Sequence, residues 1–337
     1  MLNDRVDLKP KVLILGAGAS HGARADFDFQ PPLGDNLLDW LKNKSKYLIS
    51  IPDCFQFNAL LQDVQIIFDK HPQAEAFEEF VSNLDERDEV TIHQCLRLMF
   101  CSFSGSKSID LGFQNRGDLY DDLIVKLNIN STDWSIVSLN YDLLFEQALD
   151  RAGIPYEYAS MPGDDCGDSV RSRIVIYKPH GSINFSSQFD FKFSYDGSDP
   201  PFGRPSEITK HEGFTSITPG NIFILNSGCH GSLEDSYYPI IAKFCEGKPS
   251  FICWPKLDEI RKDALELVKR SSETFVVGVR PSSHYDDSFV HGALLSAGKI
   301  TYISPAQDDC SEVQRLNPNA TCITKTLKEF LRKEALN

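Results

Sequence analysis

Four short runs of this chain place groups able to hold an anion or activate water directly behind apolar, β-branched stretches. Gly16-Ala17-Gly18-Ala19-Ser20 follows residues 12–15, and Asn140-Tyr141-Asp142 follows 134–139. Lys178-Pro179-His180-Gly181-Ser182 follows 173–177, and a loop opening at Gly278 and reaching Asp287 follows 274–277. A glycine-rich turn between strand and helix bends the backbone sharply and offers N–H groups to an anion. The dehydrogenase fingerprint needs a third glycine where this chain has His21, with Gly22 one step late, so this loop is expected to hold a phosphate differently from a hydride-transfer enzyme. Asn140, His180 and Asp142 supply an amide, an imidazole and a carboxylate with no cysteine nucleophile beside them, a set suited to activating water or a sugar hydroxyl.

Each of these residues also has a plainer reading. His180 could satisfy backbone carbonyls, and Asn140 and Asp142 could cap the helix that follows them. His21 and Arg24 could meet an anion or face solvent, and His284, Asp286 and Asp287 could reach a ribose or only start a helix.

The elements that would position these groups alternate. Strands at 12–15, 134–139, 173–177, 274–277 and 300–303, separated by helices that include 258–268, 285–295 and 326–332, imply a parallel sheet covered on both faces. Ligands then gather along its carboxyl edge. Apolar residues at helical spacing from Phe57 to Phe100 predict a helical module inserted at 52–130, leaving 1–51 and 131–337 as a Rossmann-like α/β domain. The polar stretch 186–220, with alternating aromatics at 189–195 and prolines at 200, 201 and 205, is expected to be a mobile excursion.

Composition narrows the classes. With 337 residues, 41% of them hydrophobic and 24% charged, the chain is long enough for a full core without disulfides. A formal net charge of −14 argues against electrostatic capture of nucleic acid or of an anionic membrane. Nine scattered cysteines without a CxxC pair predict reduced thiols and no metal. No basic stretch with an apolar core opens the sequence, and a cytoplasmic location is expected.

Taken in order, the four motifs and the tail Leu327-Lys328-Glu329-Phe330-Leu331 resemble sirtuin-like proteins, in particular the NAD hydrolase branch of bacterial antiviral (anti-phage) defence systems. The resemblance implies NAD as substrate, with the nicotinamide–ribose N-glycosidic bond broken. Asn140 would hold the nicotinamide ribose and the attacking water, His180 would be the general base, and Asp142 would bind the carboxamide. Gly16, Ala17, Gly18, Ala19 and Ser20 would face the pyrophosphate, while Gly278 and Ser304 would line the adenosine side. A constitutively active NAD hydrolase would be toxic, so gating by assembly into a homo-oligomer or with a companion defence protein is expected, the helical module being the expected contact surface. Two departures stand out. The four-cysteine zinc module of deacylating sirtuins is missing, which disfavours deacylation, and Gly278-Val279-Arg280-Pro281 replaces the usual tyrosine and serine of defence relatives. A non-catalytic NAD or ADP-ribose sensor, and a protein ADP-ribosyl transferase or deacylase, remain the alternatives.

Overall fold

The computed structural model describes residues 9–26, 30–43, 55–75, 77–103, 118–130, 133–159, 173–192, 207–210, 215–216, 237–241, 254–281 and 288–332. In chain order the strands are Lys11–Leu15 (β1), Trp134–Ser138 (β2), Tyr156–Tyr158 (β3), Ile174–Tyr177 (β4), Gly181–Lys192 (β5), Glu207–Lys210 (β6), Thr215–Ser216 (β7), Tyr237–Ile241 (β8), Glu273–Val277 (β9), Ile300–Ser304 (β10) and Thr321–Thr324 (β11). The helices are Ala17–Ala23 (α1), Leu37–Asn43 (α2), Phe55–Lys70 (α3), Phe77–Ser82 (α4), Glu86–Phe103 (α5), Leu119–Leu127 (α6), Leu144–Arg151 (α7), Trp254–Arg270 (α8), Ser288–Ser296 (α9), Gln307–Leu316 (α10) and Leu327–Leu331 (α11).

The apolar run of β1 is buried on both sides because the strand lies at the centre of a seven-stranded sheet ordered β11-β10-β9-β1-β2-β4-β3, with every pairing parallel. Successive side chains of β1 point to opposite faces. Leu13 and Leu15 join a core shared with α1, α6, α7 and α11, while Val12 and Ile14 join one shared with α8, α9 and α10. This is the Rossmann-like α/β architecture expected from the alternation of strands and helices. The chain builds from β1 toward β2 and then returns to the other flank of β1 with β9, so the carboxyl ends of β1 and β9 border the crevice at the switch point.

Within residues 52–130, α3, α4 and α5 form a core with α2 that Tyr141, Leu143 and Ile183 join from the sheet loops. Helix α6 instead contributes Tyr120, Leu123 and Ile124 to the core beneath the sheet. Helix α8 begins four residues before the expected start, with Pro255 in its first turn, where a missing N–H is tolerated. The first of the alternating aromatics, at 189–192, are part of β5, which runs from Gly181 and pairs antiparallel with β6, β7 and β8, and 193–195 fall outside the described residues. Among the described residues no helix is long and apolar enough to cross a membrane.

Asp118 starts α6 with a reciprocal capping box, accepting from Tyr120 N at 2.9 Å while Asp121 Oδ2 accepts from Asp118 N at 2.8 Å. Arg24 and Arg151 approach its carboxylate at 3.6 and 3.4 Å. Burial outweighs these partners and pushes the carboxyl up to about 6. The folded state therefore holds this proton more tightly than the unfolded chain, so the contribution of Asp118 to stability is complete below about pH 4 and is lost as pH rises toward about 6, a change of about 2–3 kcal/mol. Asp118→Asn is expected to flatten that part of the profile, which urea denaturation at a series of pH values between these limits would read directly.

Candidate functional site

The glycines behind β1 are required by a close crossing with the loop after β9. Gly16 N donates to Val277 O at 3.0 Å and Gly18 N to Gly278 O at 2.9 Å. Gly278 has φ +63, and a Cβ there would stand 2.0 Å from Ala19 N. A Cβ on Gly16 would stand 2.5 Å from Gly278 O. Only glycine lets the two backbones approach in this way. The crossing also changes what the turn offers, because the N–H groups of Gly16, Gly18 and Ala19 are all bonded to protein carbonyls. The wholly open row of donors expected of this loop is therefore not formed.

Asn140 and His180 stand at the ends of neighbouring strands. β2 and β4 pair with a constant offset of 40, from Ser135 with Val175 to Val137 with Tyr177, and Asn140 and His180 lie three residues past that last pair on either strand. The loops that carry them are joined. Ile183 N donates to Tyr141 O at 3.1 Å, and Lys178 Nζ donates to Asp142 O at 2.9 Å. Asn140 is 6% exposed and His180 3%. Asn140 Nδ2 donates to Ser20 Oγ at 2.9 Å, and that oxygen lies 2.9 Å from Tyr120 Oη. Asn140 Oδ1 is buried and has no hydrogen-bond partner.

Asp142 Oδ1 accepts from Leu144 N at 3.0 Å, so Asp142 caps the start of α7. Below it lies an ion pair wholly out of water, with Lys178 Nζ 3.0 Å from Glu146 Oε1. Burial raises the Glu146 carboxyl and Lys178 opposes that rise. Tyr158 and Asn184 continue this network, Asn184 Nδ2 donating to Tyr158 Oη at 2.8 Å.

The remaining candidates are dispersed. Ser304 lies one residue past Ile303, whose carbonyl accepts from Gly278 N. Its hydroxyl donates to Asp309 Oδ2 at 2.9 Å and accepts from Ala306 N at 3.2 Å. Arg24 is buried beside Asp118 rather than exposed. His21 Nδ1 lies 2.9 Å from Pro31 O. His284, Asp286 and Asp287 fall outside the described residues. Among the described residues no cluster of His, Cys, Asp and Glu is placed to hold a metal ion. Tyr120, Glu146 and the structural use of Lys178 were missed in the sequence, because Tyr120 and Glu146 lie in no motif and Lys178 was read only as the first residue of the third one.

Residues 135–195, which span β2, the Asn140 and His180 loops and β4, match the SIR2-like domain family. No curated protein matches the chain. Among solved structures, Sir2Tm bound to a propionylated peptide is similar at 15% identity and a TM-score of 0.39, over 97% of this chain and 92% of that one. Sir2 with a p53 peptide and NAD+ is similar at 14% identity and a TM-score of 0.40, over 96% and 91%.

Proposed function

We propose that this protein is a sirtuin-like NAD+ hydrolase that converts NAD+ and water into nicotinamide, ADP-ribose and a proton. The observation that carries the reading is the state of Asn140: its Nδ2 is fixed on Ser20, its Oδ1 is left without a partner, and its loop is bonded to the one that carries His180 through Ile183 N and Tyr141 O. The SIR2-like match covers these same two loops. A free amide acceptor held on the serine of the glycine turn suits a ribose whose C1′–N bond is to be broken.

In this reading Asn140 Oδ1 accepts from a ribose hydroxyl or from the incoming water, and so fixes the face that is attacked. Breaking the C1′–N bond returns the bonding pair to the pyridine ring, which leaves as neutral nicotinamide and puts positive charge on the ribose. Water adds at C1′, and His180 takes the proton that water loses. In this reading the pyrophosphate lies along the turn at Gly16, Ala17, Gly18, Ala19 and Ser20 by close approach to its backbone rather than through the Gly16, Gly18 and Ala19 N–H groups, which are bonded within the protein, while Asp142 meets the carboxamide and Gly278 and Ser304 the adenosine end. No metal enters this chemistry.

One observation favours a second reading, a module that binds NAD or ADP-ribose without turnover. Both proposed catalytic side chains are nearly inaccessible, so water reaches them only if the surrounding side chains part. The same burial fits an enzyme held inactive until assembly. The resemblance to defence proteins supports a cytoplasmic effector that depletes NAD during phage infection, gated by self-assembly or by a companion protein, since a constitutively active enzyme would exhaust the cell.

Incubating the intact purified chain with NAD+ and no acceptor protein, and separating the products by chromatography, tests the proposal. Equal amounts of nicotinamide and ADP-ribose are expected, with His180→Ala lowering the rate at least about tenfold as a general base should. Binding of NAD+ by calorimetry without product, at every oligomeric state seen by sedimentation, would instead establish the sensor.

A further inference from the structure

Tyr120 belongs to none of the motifs, yet it is fully buried with its hydroxyl 2.9 Å from Ser20 Oγ, which in turn accepts from Asn140 Nδ2. Its position is set from both ends. Asp118 caps its backbone N–H, and its ring meets Phe145 edge-on with centroids 5.3 Å apart. Ser20 is 1% exposed, so no bulk water competes for these hydroxyls.

A serine hydroxyl has one proton and two lone pairs, and an amide can present either its NH2 or its oxygen. If Ser20 gives its proton to Tyr120, it has only a lone pair left for Asn140, and the amide must point its NH2 at Ser20 and its oxygen away. If Tyr120 were absent, Ser20 could donate to Oδ1 instead, and the amide could turn over. Because Asn140 Nδ2 already donates to Ser20 Oγ, the serine's own proton is left for Tyr120 Oη, 2.9 Å away, and the chain runs from Asn140 through Ser20 to Tyr120.

We infer that Tyr120 is a positioning residue which, through the Ser20 hydroxyl, fixes the orientation of the Asn140 amide and so keeps Oδ1 available as an acceptor. The inference rests on the proposed hydrolysis only for its catalytic consequence; the orientation itself is a property of the folded chain. In the enzyme, Tyr120→Phe should lower kcat about tenfold while changing KM for NAD+ less than about twofold, the split expected when an interaction matters in the transition state rather than in binding.

The test uses the intact protein labelled with 15N asparagine, the Asn140 side-chain signal being identified by its loss in Asn140→Ala. In the parent protein the two Nδ2 protons should be inequivalent and exchange slowly. Tyr120→Phe should shift this pair and speed its exchange at least about tenfold, as should Ser20→Ala, which cuts the same chain at its other hydroxyl and serves if the phenylalanine variant fails to fold. An unchanged Asn140 signal in a folded variant would overturn the inference whether or not the protein hydrolyses NAD+. Faster exchange in Tyr120→Phe, with a parent protein that releases no nicotinamide at any oligomeric state, would uphold the positioning and reject the hydrolase.

Discussion

Asn140→Ala is expected to lower nicotinamide release by about a hundredfold, or ~3 kcal/mol of transition-state stabilisation, with little loss of the folded state. The effect should be large because one side chain does two things here. Its Nδ2 is fixed on Ser20, and its Oδ1 is the buried acceptor left without a partner. Removing it deletes the acceptor while leaving the crossing of the Gly16 and Gly278 loops intact, since those contacts are between backbones. Stability should change little, because the amide makes a single hydrogen bond to the protein and Ser20 keeps Tyr120 as a partner. Steady-state rates together with thermal denaturation of the same sample separate the two effects; a fall in both would make Asn140 a structural residue.

The second large effect is on folding. Lys178→Ala is expected to destabilise the protein by about 3–5 kcal/mol, because it strands the Glu146 carboxylate in a site without water. In a domain of this size that corresponds to a fall in Tm on the order of 10 °C. Lys178 also holds the carbonyl of Asp142, so the loop bearing Asn140 would loosen with it. The pH dependence carries the mechanism. Burial already raises the Glu146 carboxyl, and without the ammonium it rises further. A carboxyl raised in the folded state stabilises while it is protonated and loses that contribution as pH rises through its folded value, so the deficit of Lys178→Ala should be greater near about pH 8 than near about pH 5. Replacing both partners by apolar residues, Lys178→Met with Glu146→Leu, should recover most of the loss. Chemical denaturation of the three variants at the two pH values checks all of these points.

The central strands and the glycine turns were legible in the sequence because their burial is simple. A run such as Val12 to Leu15 is apolar throughout when both faces are covered, and the glycines at 16, 18 and 278 stand where two backbones cross. Strand β11 escaped notice because it is four residues long at the edge of the sheet, with its two threonines exposed and its Cys322 and Ile323 half-buried, so no alternation marks it. Helix α10 buries only Cys310 and Val313 and otherwise reads as polar surface. At the candidate site, Asn140, His180 and Ser20 announced themselves by following strands. Tyr120 did not, since its hydroxyl reaches Ser20 across 100 residues of sequence and nothing local marks it. Glu146 is hidden in the same way, as an ordinary helix carboxylate until Lys178 is brought against it by the pairing of β2 with β4.

Diffraction from crystals of the intact protein soaked with ADP-ribose tests the geometric claim most directly. The terminal ribose is expected between the ends of β2 and β4, with a hydroxyl within hydrogen-bond distance of Asn140 Oδ1 and the His180 ring beside C1′. A ribose bound on the far side of the Gly16 and Gly278 crossing, or bound with Asn140 Oδ1 still unpartnered and His180 turned away, would contradict it.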